Sequence, residues 1–305
     1  MTTNESTSCV TLQDPPSHAT RVSAEVPYVD VMQGDARWEI SVHDHGLVAL
    51  VDAMPRMVPE GQTADQAIVQ AARVSYGAGT KKVNEDRGLI RYLLRHRHTT
   101  PFEMVEFKFH MAMPIFVARQ WIRHRTANVN EYSARYSIVP DRFYRPTPEN
   151  IRKQSTTNRQ GGDESIDVNT AEEFLALLED SEALYSRYIE LTERGVAREL
   201  ARAALPVSVY TEWYWKCDLH NLLHFLSLRM DPHAQLEIRD YATAMYELIQ
   251  PIVPITCEAF EDYRMNSMHL TGLEIEAIRT GEPIAATNKR ETAEWEAKKA
   301  RLGLD

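Results

Sequence analysis

The apolar positions of this chain follow two different periods, and each period predicts a kind of element. Apolar and polar residues alternate at 38–51, 105–111 and 207–215, the period of two expected of half-buried strands. Apolar residues three or four positions apart predict helices at 64–74, 85–95, 171–193 and 219–229, in the segment from about 115, and from 231 onward. Helices and strands are therefore mixed along the chain.

This mixture predicts an α+β fold, with a central antiparallel or mixed sheet and flanking helices. No strand is followed by a GxGxxG motif, which argues against a Rossmann unit. One domain is expected over 36–265. The polar stretch 1–35, interrupted by prolines, predicts a disordered N-terminal tail, and 266–305 predicts a charged helical tail. The polar segment 146–169 is predicted to be an inserted loop.

Composition is that of an ordinary globular protein, with 43% hydrophobic and 26% charged residues. No apolar run approaches the roughly 20 residues that a membrane helix needs, and the first residues lack the features of a signal peptide. The three scattered cysteines, Cys9, Cys217 and Cys257, favour a reducing cytoplasm over a disulfide framework. A net charge of −10 argues against nonspecific nucleic-acid binding.

The segment 119–135 departs from this acidic composition. It contains four arginines, Arg119, Arg123, Arg125 and Arg135, and one acid, Glu131, so its local charge is +3. Like charges on neighbouring helical turns repel, and a desolvated guanidinium group needs an acceptor. The cluster therefore indicates a bound anion, and a phosphate suits it.

The residues that follow add hydroxyl groups to this cluster. Ser133, Arg135 and Ser137 alternate with tyrosines, an alanine and an isoleucine, which predicts an extended segment that points two hydroxyls and a guanidinium to one side. Planar arginine beside short hydroxyl donors is well suited to phosphate oxygens. The alternative is a solvated basic face that pairs with acids elsewhere in the fold.

Caps at helix starts are a structural alternative for other polar residues. Thr100, Pro101 and Glu103 match a capping box with proline at the first helical position, although capping leaves His98 unexplained. Asp218 lies where the cap of the helix at 219–229 is expected.

The remaining candidates are a histidine pair and an arginine. His220 and His224 are four residues apart, as in helical metal sites, but no third ligand accompanies them and we expect no metal. Arg202, on a short predicted helix that ends at Pro206, is either a ligand or part of a surface ion pair.

The order of residues in the basic cluster resembles a known signature. Arg123-His124-Arg125, then seven residues, then Ser133-Ala134-Arg135 is similar to the motif of flavin-dependent thymidylate synthases. The resemblance extends from about residue 46 to about residue 263, and includes the stretches AARVSY, HTTPFE, PIFVARQW, RAALP and SLRMDPHAQ.

This resemblance implies an activity: reductive methylation of dUMP to dTMP, with methylenetetrahydrofolate as carbon donor, FAD as hydride carrier and NADPH as reductant. It also implies a homotetramer whose active sites are shared between subunits. Flavin-binding residues carried over from the family are Ser75, Thr100, Arg123, His124, Arg125, Glu131, Asp218, His220 and His224. Substrate-binding residues carried over are His98 for folate and, for the nucleotide, Gln120, Arg123, Glu131, Ser133, Ala134, Arg135, Arg202 and Arg229.

Within the resemblance, Arg229 is the expected catalytic residue, because it would pair with the uracil edge and stabilise its N3-deprotonated form without a covalent adduct. Two positions depart from the family pattern: Asp218 stands where the family commonly has asparagine, and His220 where it commonly has arginine. The rival hypothesis is a non-enzymatic nucleotide- or RNA-binding protein that uses aromatic residues interleaved with the arginines, namely Tyr132, Tyr136, Phe143 and Tyr144.

Overall fold

The computed structural model describes residues 20–22, 37–56, 61–74, 86–155 and 161–304, which belong to two compact units, Met1–Ala259 and Phe260–Asp305. The strands are β1 (Thr20–Val22), β2 (Arg37–Val42), β3 (Gly46–Met54), β4 (Glu106–Pro114), β5 (Asn128–Glu131), β6 (Arg152–Gln154), β7 (Gly162–Ser165) and β8 (Tyr210–Asp218). The α-helices are α1 (Asp65–Val74), α2 (Asp86–Arg95), α3 (Ile115–Trp121), α4 (Val168–Glu182), α5 (Leu184–Glu193), α6 (Arg198–Ala201), α7 (Leu219–Arg229), α8 (Leu236–Ile249), α9 (Pro254–Phe260), α10 (Gly272–Thr280) and α11 (Lys289–Leu302).

An antiparallel sheet organises the first unit. Over the described residues it has six strands in the order β1-β2-β3-β4-β8-β5, and each neighbouring pair is antiparallel. The α+β prediction is therefore confirmed. Because β8 pairs with β4 from Glu106↔Asp218 to Pro114↔Tyr210, the end of β8 that starts α7 lies beside the start of β4.

β4 is the most buried strand of this sheet, and its pattern differs from the predicted half-buried one. Burial alternates only at the start of the strand, and from Phe109 to Pro114 both faces are buried. Even His110 is buried, at 2% exposure, and its Nε2 lies 3.2 Å from a carboxylate oxygen of Glu212 on β8. His110, predicted to lie on the solvent-facing side of the strand, is therefore in contact with protein instead of water.

Several predicted boundaries were wrong. The predicted loop 146–169 contains a 3-10 turn, Pro148–Asn150, and the β6–β7 hairpin. The helix predicted over 171–193 is two helices, α4 and α5. The helix predicted from 231 begins at Leu236, because Asp231 and the residues after it form a turn in which the Asp231 carboxylate accepts the backbone N–H of His233 at 2.8 Å.

The two predicted tails fare differently. The predicted disorder of 1–35 is wrong at β1, which pairs with β2, and the rest of that segment lies outside the described residues. In the second unit α11 confirms the predicted charged helix, although its Trp295 is buried. The domain boundaries at 35 and 265 stay predictions. No helix in the described ranges is both long and apolar enough to cross a membrane.

Candidate active site

The basic cluster begins on α3 and continues through a turn into β5, an edge strand of the sheet. Pro114 precedes α3, and the backbone N–H groups of Ile115 and Phe116 donate to the carbonyls of Val209 and Val207. The buried face of α3 consists of Val117, Ala118 and Trp121, and Arg119 and Gln120 are not among its buried residues. The helix ends at Trp121, however, and the arginine-histidine-arginine motif lies in the turn beyond it.

An aromatic cluster sets the position of that turn. Trp121 stacks on Phe225 of α7, with ring centroids 4.4 Å apart, and meets Trp215 of β8 edge-on at 5.9 Å. The same Phe225 meets the ring of His124 edge-on at 4.8 Å. Apolar packing therefore places the histidine of the motif against α7.

Arg229, the last residue of α7, forms a hydrogen bond with His124 beside this aromatic cluster. Its Nε donates a hydrogen bond to Nε2 of His124 at 3.0 Å. A ring nitrogen that accepts a hydrogen bond carries no proton, so His124 is neutral and its proton is on Nδ1. Burial, followed by the charges of Arg229 and His224, lowers the pKa of His124 to about 4. The pair is a neutral imidazole beside a half-buried cation.

A cleft of about 670 Å³ lies beside this pair, and we call it the Arg229 cleft. Its size falls within the range of small-molecule sites, roughly 300–1,000 Å³. Its polar walls include Gln120, Arg152, Gln154, Arg229, Gln235 and Glu237. The side-chain oxygen of Gln120 is buried, and no described residue donates a hydrogen bond to it. A buried acceptor without a donor indicates a place for a ligand or water.

A second, smaller pocket of about 150 Å³ contains other predicted residues, and we call it the Arg202 pocket. It is lined by Glu131, Ala134 and Arg202, among others, and shares no lining residue with the Arg229 cleft. A carboxylate oxygen of Glu131 accepts the Thr211 hydroxyl at 2.7 Å. Five of the eight predicted nucleotide ligands are thus divided between the two pockets, and Arg123, Ser133 and Arg135 line neither.

The predicted extended segment at 133–137 was wrong. The backbone N–H groups of Tyr136 and Ser137 both donate to the carbonyl of Ser133, which closes a single tight turn. Arg135 is exposed on this turn, with its guanidinium 5.2 Å from the ring centroid of Tyr136. Local hydrogen bonds bring Ser133, Arg135 and Ser137 together in a turn instead of along one side of a strand.

Other predicted residues that the structure describes line neither pocket. His98 is exposed and stacks on Tyr92 with ring centroids 5.9 Å apart. The capping box predicted at Thr100–Glu103 does not form: Thr99 takes the cap position of a 3-10 helix, Thr100–Met104, without a side-chain cap. Arg123 and Arg125 are exposed, and Ser75 lies outside the described residues.

Asp218 confirms its predicted place at the start of α7. One of its oxygens accepts the backbone N–H of Asn221 at 2.9 Å, and the other accepts the Asn221 side chain at 2.7 Å. His220 and His224 follow on α7, and the ring of His224 lies 6.3 Å from that of His124. Among the described residues, no group of three or more His, Cys, Asp or Glu could bind a metal ion.

The sequence analysis missed the β6–β7 hairpin and, among other lining residues, Gln235 and Glu237. Arg152 and Gln154 line the Arg229 cleft, although their segment was assigned to a loop. The available signal was the two-residue spacing of Arg152 and Gln154, followed by Gly161 and Gly162 at the return of the hairpin. Without apolar residues on one face, that spacing does not stand out.

Neither described cysteine is set up as a nucleophile. Cys217 and Cys257 are both buried. Burial, and then the charge of Asp218, raises the pKa of the Cys217 thiol well above its usual value, which favours the unreactive protonated form.

Comparison with known proteins places this geometry in a family. Residues 50–255 match the family model described as thymidylate synthase complementing protein. A flavin-dependent thymidylate synthase of Dictyostelium discoideum is 67% identical over 282 residues, which cover 92% of this chain and 93% of that protein. One of Wolbachia pipientis wMel is 55% identical over 240 residues, covering 78% and 82%.

A solved structure agrees with these relatives. A UMP/dUMP methylase, PolB, of Streptomyces cacaoi bound with 5-Br UMP superposes with a TM-score of 0.64 at 34% identity, covering 75% of this chain and 99% of that one. The fold, the complete motif from Arg123 to Arg135 and the matched relatives lead to one conclusion. The chain belongs to the family of flavin-dependent thymidylate synthases.

Proposed function

We propose that the protein catalyses the reductive methylation of dUMP to dTMP, with methylenetetrahydrofolate as carbon donor, FAD as flavin and NADPH as reductant. The observation that carries this proposal is the hydrogen bond between Arg229 and neutral His124 beside the Arg229 cleft. It joins the family motif to the residue expected to bind uracil. The nucleotide-bound methylase among its structural relatives supports the substrate class.

Arg229 is the residue that we assign to activation of the base. Its Nε is used by His124, which leaves the outer guanidinium N–H groups for the uracil edge. A half-buried cation there stabilises negative charge on the deprotonated ring and so makes C5 more electron-rich. The protonated Cys217 thiol is consistent with a route that needs no covalent attack on the base.

The residues around His124 fit a flavin. FAD, when bound, supplies the carrier for the hydride. A neutral His124 has Nδ1–H left to donate, and its ring lies among Phe225 and His224, which offer a partly apolar wall. The exposed Arg123 and Arg125 are suited to its phosphates. Other proposed flavin residues are Ser75, Thr100, Glu131, Asp218, His220 and His224.

Asp218 acts on this site indirectly in the structure. Both of its oxygens accept hydrogen bonds from Asn221, so the acid fixes the first turn of α7. His220, His224 and Arg229 all lie on this helix. An aspartate at this position keeps a positioning role that asparagine could share, since both cap helices well.

The division of the nucleotide ligands supports a homotetramer with shared active sites. Gln120 and Arg229 line one pocket, whereas Glu131, Ala134 and Arg202 line another. In a symmetric assembly, the Arg202 pocket of one subunit can face the Arg229 cleft of another, so that two half-sites form one site. The cytoplasmic location stays a prediction.

The rival nucleic-acid-binding function is weakened by burial of its aromatic residues. Phe143 and Tyr144 are only 6% and 5% exposed, and the Tyr132 hydroxyl is bonded to the carbonyl of Ile138 at 2.7 Å. Tyr136, at 72% exposure, is the member of the set that is free to stack on a base.

The test is the absorption spectrum of the purified protein, followed by turnover. We expect flavin bands after incubation with FAD, and conversion of dUMP to dTMP that needs both NADPH and methylenetetrahydrofolate. A protein that binds dUMP but shows no flavin bands at saturating FAD would contradict the proposal and favour the binding protein.

A further inference from the structure

The β6–β7 hairpin presents two polar side chains to the Arg229 cleft. Arg152 and Gln154 both line it, although the pairing of β6 with β7 is irregular between them. Lys153, between them, does not line the cleft, and its Nζ lies 3.6 Å from a carboxylate oxygen of Glu164 on β7. Arg152 and Gln154 therefore line the cleft, whereas Lys153 lies outside it and pairs within the hairpin.

The charged side chains in the wall of the cleft leave an excess of positive charge. Arg152 and Arg229 are cations, whereas Glu237 is the carboxylate that lines the cleft among the described residues. Glu237 already accepts the Tyr144 hydroxyl at 2.9 Å and the Gln235 side chain at 2.8 Å. His233 is directed to Asp231, 2.8 Å from its Nδ1. Within the described part of the chain, no acid pairs with Arg152.

The backbone of Gly162 packs closely against Arg152 at the return of the hairpin. A Cβ added to Gly162 would lie 2.3 Å from the Cβ of Arg152, so a larger residue there must displace the arginine. Gly161 has φ +66°, in the left-handed region that glycine adopts without strain. Two adjacent glycines thus bring β7 close against β6 beside the cleft.

We propose that Arg152 and Gln154 form an oxyanion subsite of the Arg229 cleft, which binds a phosphate or carboxylate group carried by a substrate. The proposal rests on the proposed function. A guanidinium supplies two parallel N–H donors to an oxyanion, and the amide of Gln154 supplies another in the same cleft. Two substrates carry such a group: the nucleotide has a 5′-phosphate, and the folate has the carboxylates of its glutamyl tail.

The experiment compares Arg152→Gln with Lys153→Gln, which removes the same charge from the neighbouring position outside the cleft. For each protein we would measure the Kd of dUMP and of deoxyuridine by calorimetry. We would also measure KM for methylenetetrahydrofolate and for a methylene tetrahydropterin without the glutamyl tail. Flavin content and the circular dichroism spectrum check that both variants are folded and loaded.

We expect Arg152→Gln to weaken one oxyanion-bearing ligand about tenfold, the effect of one lost charge-assisted contact. Its uncharged analogue should bind as it does to the wild type, kcat should stay within about twofold, and Lys153→Gln should behave as wild type. A loss confined to dUMP identifies the phosphate as the bound group, whereas a loss confined to the folate identifies the carboxylates.

A second variant, Gly162→Ala, keeps the charge but must displace Arg152, and we expect it to weaken the same ligand. If Arg152→Gln does not fold, the same affinities are measured for Gly162→Ala instead. Equal affinities for both oxyanion ligands in Arg152→Gln and Lys153→Gln would overturn the subsite. Wild-type turnover would still uphold the proposed function. Absence of turnover by the wild type would instead contradict the proposed function itself.

Discussion

The Arg229 cleft and the Arg202 pocket contain residues from the same predicted site, but the chain prepares them to different degrees. In the first, Arg229 and His124, 105 residues apart, are joined by a hydrogen bond and packed through Phe225. The second has about 150 Å³ against about 670 Å³, and the Nε of its Arg202 donates to the carbonyl of Glu199, at 3.3 Å.

We infer from this difference that the Arg229 side of the proposed site is assembled within one subunit. There the cation and the motif histidine are already in contact without a ligand, which reduces the ordering cost of binding. The Arg202 pocket is bordered by the exposed turn that carries Arg135, and in the proposed assembly another subunit completes it. We therefore expect substitutions in the first to damage chemistry, and substitutions in the second to be rescued by another subunit.

The largest effect expected is that of Arg229→Ala. Loss of a cation that acts on developing charge should lower kcat by about 10²–10³-fold while leaving bound flavin largely intact. Steady-state turnover and the flavin absorbance of the purified variant measure the two effects. Arg279→Ala is the control, because Arg279 pairs with Glu276 on the surface of α10. Flavin loss in parallel with activity would show that this arginine belongs to the flavin site.

The next effect concerns two residues that we assign to flavin binding. His124→Ala and Arg125→Ala should each weaken FAD binding by about 10–100-fold, because a charge-assisted or buried hydrogen bond is lost. The variants should remain folded, and fluorescence titration with FAD gives the Kd. Wild-type flavin affinity in both would remove the flavin role that we assign to them.

Mixing two inactive variants tests whether the two pockets meet across subunits. Arg229→Ala and Arg202→Ala should each be inactive, but subunits exchanged between them should recover about a quarter of wild-type activity, since random pairing brings two intact half-sites together that often. The assay is turnover after mild dissociation and reassembly. A mixture no more active than its parts would place both half-sites of one reaction in a single subunit.

A smaller effect concerns stability and pH. The pKa of His124 is about 4 in the folded protein and about 6.5 in the unfolded chain, so the unfolded state binds the proton first as the pH falls. This contribution to stability is complete above pH 6.5 and is lost between pH 6.5 and pH 4. After allowance for solvent screening, we expect a loss of about 1 kcal/mol between pH 7 and pH 5.

Urea unfolding at both pH values measures this loss, with His124→Gln as the matched control, since glutamine does not titrate. The difference between the two proteins isolates the histidine from other groups. If both lose the same free energy of unfolding over this range, His124 is not the group responsible.

The smallest effect is expected for Cys217→Ala. The thiol is buried and protonated, so its removal should change turnover by less than about twofold and cost about 1 kcal/mol through lost packing. Turnover and a thermal melt test this. Abolished turnover in a folded, flavin-loaded variant, with a covalent nucleotide adduct at Cys217 in the wild type, would contradict the cysteine-free route.

The elements around the Arg229 side of the site were predictable because their burial is one-sided. Helical spacing at 219–229 matches α7, and Asp218 caps it as predicted. Alternation at 207–215 predicted the strand β8 but placed it three residues early, since β8 runs from Tyr210 to Asp218. The contact between His124 and Arg229 leaves no local trace, because its partners are distant in sequence. Only the family resemblance brought them together in advance.

Two failures have a common physical cause. The turn at Ser133 was predicted to be extended because alternation over five residues also fits a turn closed by its own backbone. The hairpin of Arg152 and Gln154 was assigned to a loop because both of its faces are polar, so burial leaves no period in the sequence. In both places local hydrogen bonds, not the hydrophobic core, decide the conformation.

The packing of Trp121, Phe225 and His124 also has an optical consequence. The indole of Trp121 is one phenyl ring away from the imidazole at which we place the flavin. Flavins absorb in the wavelength range where tryptophan emits. Flavin binding should therefore quench the fluorescence of Trp121. Tryptophan fluorescence of the native protein would then measure flavin occupancy without an added dye.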